Sequence, residues 1–220
     1  MEFVRDSFTD TDGTLLDAHT GESGATWTRH SSSGAGKDYE ITDANRIRPD
    51  NAAGEAIYYS SGLPASAEYD VSADVVFLGS VSSGYAVGVH GRQQPVEDSH
   101  YRLYVNEGSG GQWLFSKRVA GATTALGSFQ QSFSPSTTYR ATLVLRDAAK
   151  VCLVNGVPRI SSTDNAITEA GRAGVVCNTG TDFTSDSVGP QLDNLLASDV
   201  SGKPHINVLR PAPFAPGIAR

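Results

Sequence analysis

The chain is 220 residues long, with 24 acidic and 17 basic side chains and a net charge of −7 at pH 7. At 39% hydrophobic and 19% charged residues it suits a soluble fold of one large domain, and an acidic body without a basic stripe excludes nucleic acid as a partner. No apolar run of 18 residues occurs, and the opening MEFVRDSF has neither a basic start nor an apolar stretch, so neither a membrane span nor a signal peptide is expected.

Residues 4–9 alternate as a strand does and lead into Asp10-Thr11-Asp12-Gly13-Thr14-Leu15. This DxDGTL string resembles the nucleophile loop of haloacid dehalogenase-like phosphotransferases. That chemistry needs a buried parallel strand before the loop, a helix after it and an acidic pair for magnesium further on. The approach alternates, helical spacing is missing, and Asp182 and Asp186 sit in a Ser/Thr-rich stretch. The loop therefore reads as a turn, with Asp12-Gly13 supplying the turn chemistry. Asp10, Asp12 and Asp17 are clustered hard oxygen donors and candidate ligands for a structural calcium, the single cofactor this sequence suggests.

Beyond the loop the period is two. Tyr58 and Tyr59 must point to opposite faces of a strand; then Tyr69, Val71, Ala73, Val75 and Phe77 share one face, opposite Asp70, Ser72 and Asp74. Further strands are predicted at residues 85–90, 100–105, 112–119 and 138–146, each bounded by turn-forming clusters. Asn155-Gly156 between two apolar runs predicts a tight hairpin, and GRAGVVCN and QLDNLLAS supply the closing strands. Cys152 and Cys177 lie in short apolar runs and read as buried free thiols. The five histidines lack zinc-binding spacing, and His90 and His100, flanking residues 91–99, read as surface residues at loop edges. The expectation is an all-β antiparallel sandwich over residues 1–198, followed by an extended arm, 199–220.

The same order of elements carries a resemblance: Asp6-Ser7-Phe8, Trp27, GYAVGVH, YRLYV, a Trp113 strand, TYRATLVL, the Asn-Gly hairpin, GRAGV and Leu192-Asp193-Asn194-Leu195. Over residues 5–198 this pattern is similar to the concanavalin A-like jelly roll of the laminin-G type. In that fold the first and last strands lie side by side, which implies that Phe8 and Leu192 share a core. The D-x-F opening with its DGTLL loop resembles the start of such domains in bacteriophage virion proteins. The resemblance implies a non-enzymatic virion structural protein, decorating the capsid or associated with the tail, displayed on the virion surface after synthesis in the host cytoplasm.

Glucanases of this fold carry paired carboxylates in an E-x-D-x-x-E strand, which this chain lacks; Glu68 and Asp70 lie on the polar side of their strand. Glycoside hydrolysis accordingly ranks last. The alternative to the virion role is a carbohydrate-binding module or host-glycan adhesin, with Tyr59, Tyr104 and Trp113 as candidate aromatic platforms.

The arm differs from the body. Four prolines follow Lys203 and favour an extended course, while Ile206, Val208, Leu209, Phe214 and Ile218 give it apolar anchors and Arg210 and Arg220 positive charge. These seven residues are the candidate contacts to other virion proteins or to further copies of the chain.

Overall fold

The structure, a computed structural model, describes residues 1–50, 54–78, 85–106, 111–179, 186–187 and 189–200. The arm contacts Ile206, Val208, Leu209, Arg210, Phe214, Ile218 and Arg220 lie outside the described residues, as does Asp182. In chain order the strands are β1 (Glu2–Asp6), β2 (Trp27–Arg29), β3 (Tyr39–Ile41), β4 (Ile47–Pro49), β5 (Gly54–Ser60), β6 (Tyr69–Leu78), β7 (Tyr85–Gln93), β8 (His100–Asn106), β9 (Gln112–Val119), β10 (Ala122–Gln130), β11 (Thr137–Leu145), β12 (Ala149–Val154), β13 (Val157–Thr163), β14 (Arg172–Thr179) and β15 (Gly189–Asp199). One helical turn, Leu16–Ala18, is present among the described residues.

All pairings are antiparallel and build two sheets. The eight-stranded sheet runs β13-β12-β11-β6-β15-β4-β3, with β1 also on β15; the seven-stranded sheet runs β10-β9-β8-β7-β14-β5-β2. First and last strands are adjacent as expected: Arg5 faces Leu196 and Asp6 faces Leu195. A bulge in β15 between Asp193 and Leu196 divides this strand. Leu192 before it faces Ile47 of β4, and Leu195 within it and Leu196 after it face β1. The two short strands thus share one edge of β15.

Alternation places the core between the sheets. The predicted face of β6, Tyr69 to Phe77, is fully buried there with Phe8, Leu192, Leu103, Val105, Trp113 and Phe115. Each such large apolar side chain contributes about 2 to 3 kcal/mol on burial. Cys152 and Cys177 are buried free thiols. The Asn155-Gly156 hairpin forms with both residues at positive φ, and Asn155 Oδ1 accepts from Arg140 N at 2.8 Å, tying its tip to β11. A second hairpin joins β9 to β10 through Ala120 (φ 47°) and Gly121 (φ 84°).

The D-x-F opening is a buried hydrogen-bond node. Asp6, 1% exposed, accepts from Phe8 N at 2.7 Å and Trp27 Nε1 at 2.7 Å, and its Oδ1 lies 3.0 Å from His19 Nε2. A side chain at Gly21 would stand 2.6 Å from Asp6 Oδ2, so glycine makes room for the carboxylate. The other ring nitrogen of His19 lies 2.9 Å from Asp10 Oδ2. Burial alone would lower the His19 pKa, but its hydrogen bonds to Asp10 and Asp6 and their charges outweigh this and raise it. This node pins the start of the chain to β2 through Trp27.

Candidate functional site

The acidic opening loop is a turn: Gly13 has φ 81°, and Thr14 N donates to Thr11 O at 3.0 Å. Asp12 and Asp17 are exposed, and Asp10 is engaged by His19. Among the described residues no group of three or more His, Cys, Asp or Glu side chains is arranged to hold a metal ion, so the three aspartates do not form the calcium site considered from sequence.

The aromatic candidates separate. Trp113 is fully buried in the core, stacking edge-on against Phe133 and donating from Nε1 to Gln131 Oε1 at 2.9 Å, so it is no platform. Its alternation partner Leu114, not Trp113, lies on the outer side of β9, because the apolar face of the sandwich claims the larger ring. Tyr104 does oppose Tyr101, Leu103 and Val105, but it is only 6% exposed and lies under the Arg102 guanidinium at 4.9 Å. Tyr59 is half-buried, with the Arg172 guanidinium 5.8 Å from its ring and His30 6.2 Å away. Tyr59 and Tyr104 thus belong to the same outer face, and Trp113 does not.

That face has its own small apolar cluster, Ile57, Tyr104 and Val176, separate from the core. Residues two positions along the same strands share it: Glu55 and Tyr59 on β5, His90 on β7, Arg102 on β8, Ser116 and Arg118 on β9. The expectation that His90 and His100 are surface residues is overturned. Both are fully buried, their ring centroids 5.2 Å apart, and His30 is 3% exposed. The reason lies in β14, where Gly174 has no side chain. A Cβ there would stand 2.5 Å from His90 Nε2, and its absence lets the imidazole lie across the strand, with Nε2 2.9 Å from Tyr58 O on β5.

Charge is arranged around these rings. Arg102 reaches Glu55 Oε1 at 2.5 Å, Ser116 Oγ at 3.0 Å and Thr123 Oγ1 at 3.3 Å. Arg118 pairs with the other oxygen of Glu55 and with Asp98 Oδ2, the latter at 2.7 Å. Arg172 donates to Ser61 O at 2.6 Å beside Tyr59. Four ring nitrogens have no partner within hydrogen-bond distance, His30 Nε2, His90 Nδ1 and both of His100, and Asp98 Oδ1 stands 3.7 Å from His100 Nδ1. Burial pushes the His90 pKa down to about 3 and that of His100 well below the ordinary histidine value, so both rings are neutral at pH 7 and each offers one donor and one acceptor. Unpartnered buried polar atoms are costly, and a cluster of them marks a place where a hydroxyl or water completes the network.

The carboxylates here are committed to arginines: Glu55 to Arg102 and Arg118, and Asp98 to Arg118. Glu68 and Asp70 are elsewhere, at the start of β6 in the eight-stranded sheet, where Asp70 pairs with Arg146 at 2.7 Å and Glu68 accepts from Asp147 N at 3.2 Å.

No protein-family model and no curated protein matches this chain. Solved structures match its fold. A carbohydrate-binding module, CBM66 from Bacillus subtilis, superposes with a TM-score of 0.60 at 13% identity over 79% of this chain and 95% of that one. A β-1,3-1,4-glucanase (lichenase) derived from a mouse hindgut metagenome gives 0.57 at 13% identity, over 89% of this chain and 98% of its own. The carbohydrate recognition domain of Emp47p gives 0.55 at 10% identity, over 86% and 93%. The sandwich is a concanavalin A-like jelly roll. Identities this low establish the fold and leave the chemistry to the site.

Sequence reasoning missed His30, Glu55, Asp98, Arg102, Arg118 and Arg172. A signal existed for two residues: in YRLYV and QWLFSKR, Arg102 and Arg118 fall on the face opposite the apolar set, as Tyr104 does. Nothing local marks the others, which strand order alone brings together.

Proposed function

We propose that this protein is a non-catalytic carbohydrate-binding module that takes a glycan on the outer face of the seven-stranded sheet. One observation carries the reading: the half-buried Tyr59 lies on this face with the Arg172 guanidinium 5.8 Å and His30 6.2 Å from its ring, an aromatic surface beside hydrogen-bond donors. Sugars present hydroxyls that donate and accept at once and apolar C–H faces that rest on aromatic rings, so this mixture suits them. The likeness in fold to CBM66 and the Emp47p recognition domain supports it, and the ion pairing of Glu55 and Asp98 supports binding without hydrolysis. Carbohydrate binding, held second on sequence alone, therefore becomes the leading reading. The host-glycan adhesin is the same proposal placed on a virion, and that placement rests on the sequence resemblance.

The test is a glycan array with the full-length protein, followed by calorimetric titration of the hits. Tyr59→Ala and Arg172→Ala are expected to weaken binding tenfold or more while the unfolding midpoint of Tyr59→Ala stays near wild type. Absence of any hit, or wild-type affinity in both variants, overturns the reading. Release of reducing sugar by the wild-type protein would replace it with glycoside hydrolysis.

A further inference from the structure

The end of the sandwich where β15 finishes carries a cleft of about 520 Å³ between the β7–β8 and β13–β14 connections. Pro95, Val96, Val119 and Ile167 form its apolar surface, and Glu97 and Glu169 add two negative charges. Val96 is 93% exposed and Val119 37%, two of the few large apolar side chains left open to solvent among the described residues. The cleft is firmly built: Ile167 O accepts from Arg92 Nη1 at 2.7 Å, and Gln94 N donates to Ser99 O at 3.0 Å across the loop that presents Val96.

Charge separates this cleft from two others among the described residues. One balances Arg5 and Arg140 against Asp6 and Glu22, and the second balances Arg92 against Asp147. The Val96 cleft alone of the three has acids and no base in its lining. Its complement is the segment following β15: residues 201–220 contain Lys203, Arg210 and Arg220, no acidic residue, and apolar Val208 and Phe214 between prolines with Ile218 after the last. The exit of β15 is close by. Asp199 faces Tyr69 on β6; Tyr69 Oη donates to Gly171 O at 2.8 Å and accepts from Arg92 N; and Arg92 holds Ile167 in the cleft. At about 3.3 Å per extended residue, Val208 reaches ~30 Å from Asp199, more than this separation of two side chains requires.

We propose that the Val96 cleft is the docking site of the chain's own C-terminal arm, with Phe214 or its neighbouring anchors on Val96 and Val119 and the arginines against Glu97 and Glu169. The partner class is a basic, proline-rich extended peptide, supplied in cis. Such a segment keeps a preformed extended course and loses little entropy on docking.

A benzophenone amino acid in place of Phe214 in the full-length protein tests this, using a dilute equal mixture of ¹⁵N-labelled and unlabelled chains. Irradiation is expected to join position 214 to residues 94–99 or 166–169 within single chains. Joining between differently labelled chains, joining elsewhere on the body, or no joining at all overturns the proposal. The double substitution Glu97→Lys with Glu169→Lys, at two exposed positions, is expected to cut the yield tenfold or more with an unchanged unfolding midpoint; an unchanged yield overturns it. Glycan binding plays no part in either readout.

Discussion

Lowering the pH from 7 to 4.5 should destabilise this protein through His90 by an amount the structure sets. Burial holds the His90 pKa at about 3 against an ordinary value of 6.5, and Tyr58 O, which favours the charged form, offsets little of this. A base with a depressed folded pKa contributes stability above its unfolded pKa and loses it as pH falls toward the folded value. The loss therefore starts near pH 6.5 and ends near pH 3. At pH 4.5 the unfolded ring has bound its proton and the folded ring has not, a gap of about two units, or roughly 2.7 kcal/mol at 1.36 kcal/mol per unit. His19 has the opposite sign: its raised pKa makes its contribution complete in acid and lost above its folded value, so it does not mimic the effect. Urea unfolding of wild type and His90→Gln at both pH values isolates the residue, because the carboxylates are common to the two proteins. Wild type should lose about 2 to 3 kcal/mol more than the variant between pH 7 and 4.5. Equal acid losses would refute the reasoning, as would an imidazole NMR titration showing His90 protonated at pH 5.

Two substitutions probe the packing that creates the sites. Asp6→Asn keeps the shape of the node but sets an amide donor against either the Trp27 indole or Phe8 N, and it should cost about 2 to 3 kcal/mol by chemical denaturation; a change below ~0.5 kcal/mol would mean the node is not stabilising. Gly174→Ala puts a methyl 2.0 Å from Tyr58 O and 2.5 Å from His90 Nε2. It should cost about 2 to 3 kcal/mol and displace His90, with glycan affinity falling alongside stability; full retention of both would sink the account of how the ring is seated.

Much of the fold was legible because its signals are local. The alternation of Tyr69 to Phe77, the Asn155-Gly156 turn and the opposition of Tyr104 to Leu103 and Val105 all follow from side-chain period and backbone preference within a few residues. Strand β10 escaped because Ala122 to Gln130 has no clear alternation and its hairpin turns on Ala120 at φ 47°, a residue with no turn signature. Trp113 and the two histidines were misplaced for a different reason. Alternation separates a strand's residues into two sets, but it does not say which set is covered or by what.

The sequence by itself determined an antiparallel all-β chain, two buried thiols and a turn in place of a phosphatase loop. These depend on short-range sterics and on the free energy of hiding one face of each strand. Only the tertiary structure decided that His30, His90 and His100 meet, that Glu55 is shared by Arg102 and Arg118, and that a glycine on β14 gives His90 its place. Those residues come from β5, β7, β8, β9, β14 and the loops beside them, and their juxtaposition is fixed by which strands pair, a long-range choice made by the whole core together.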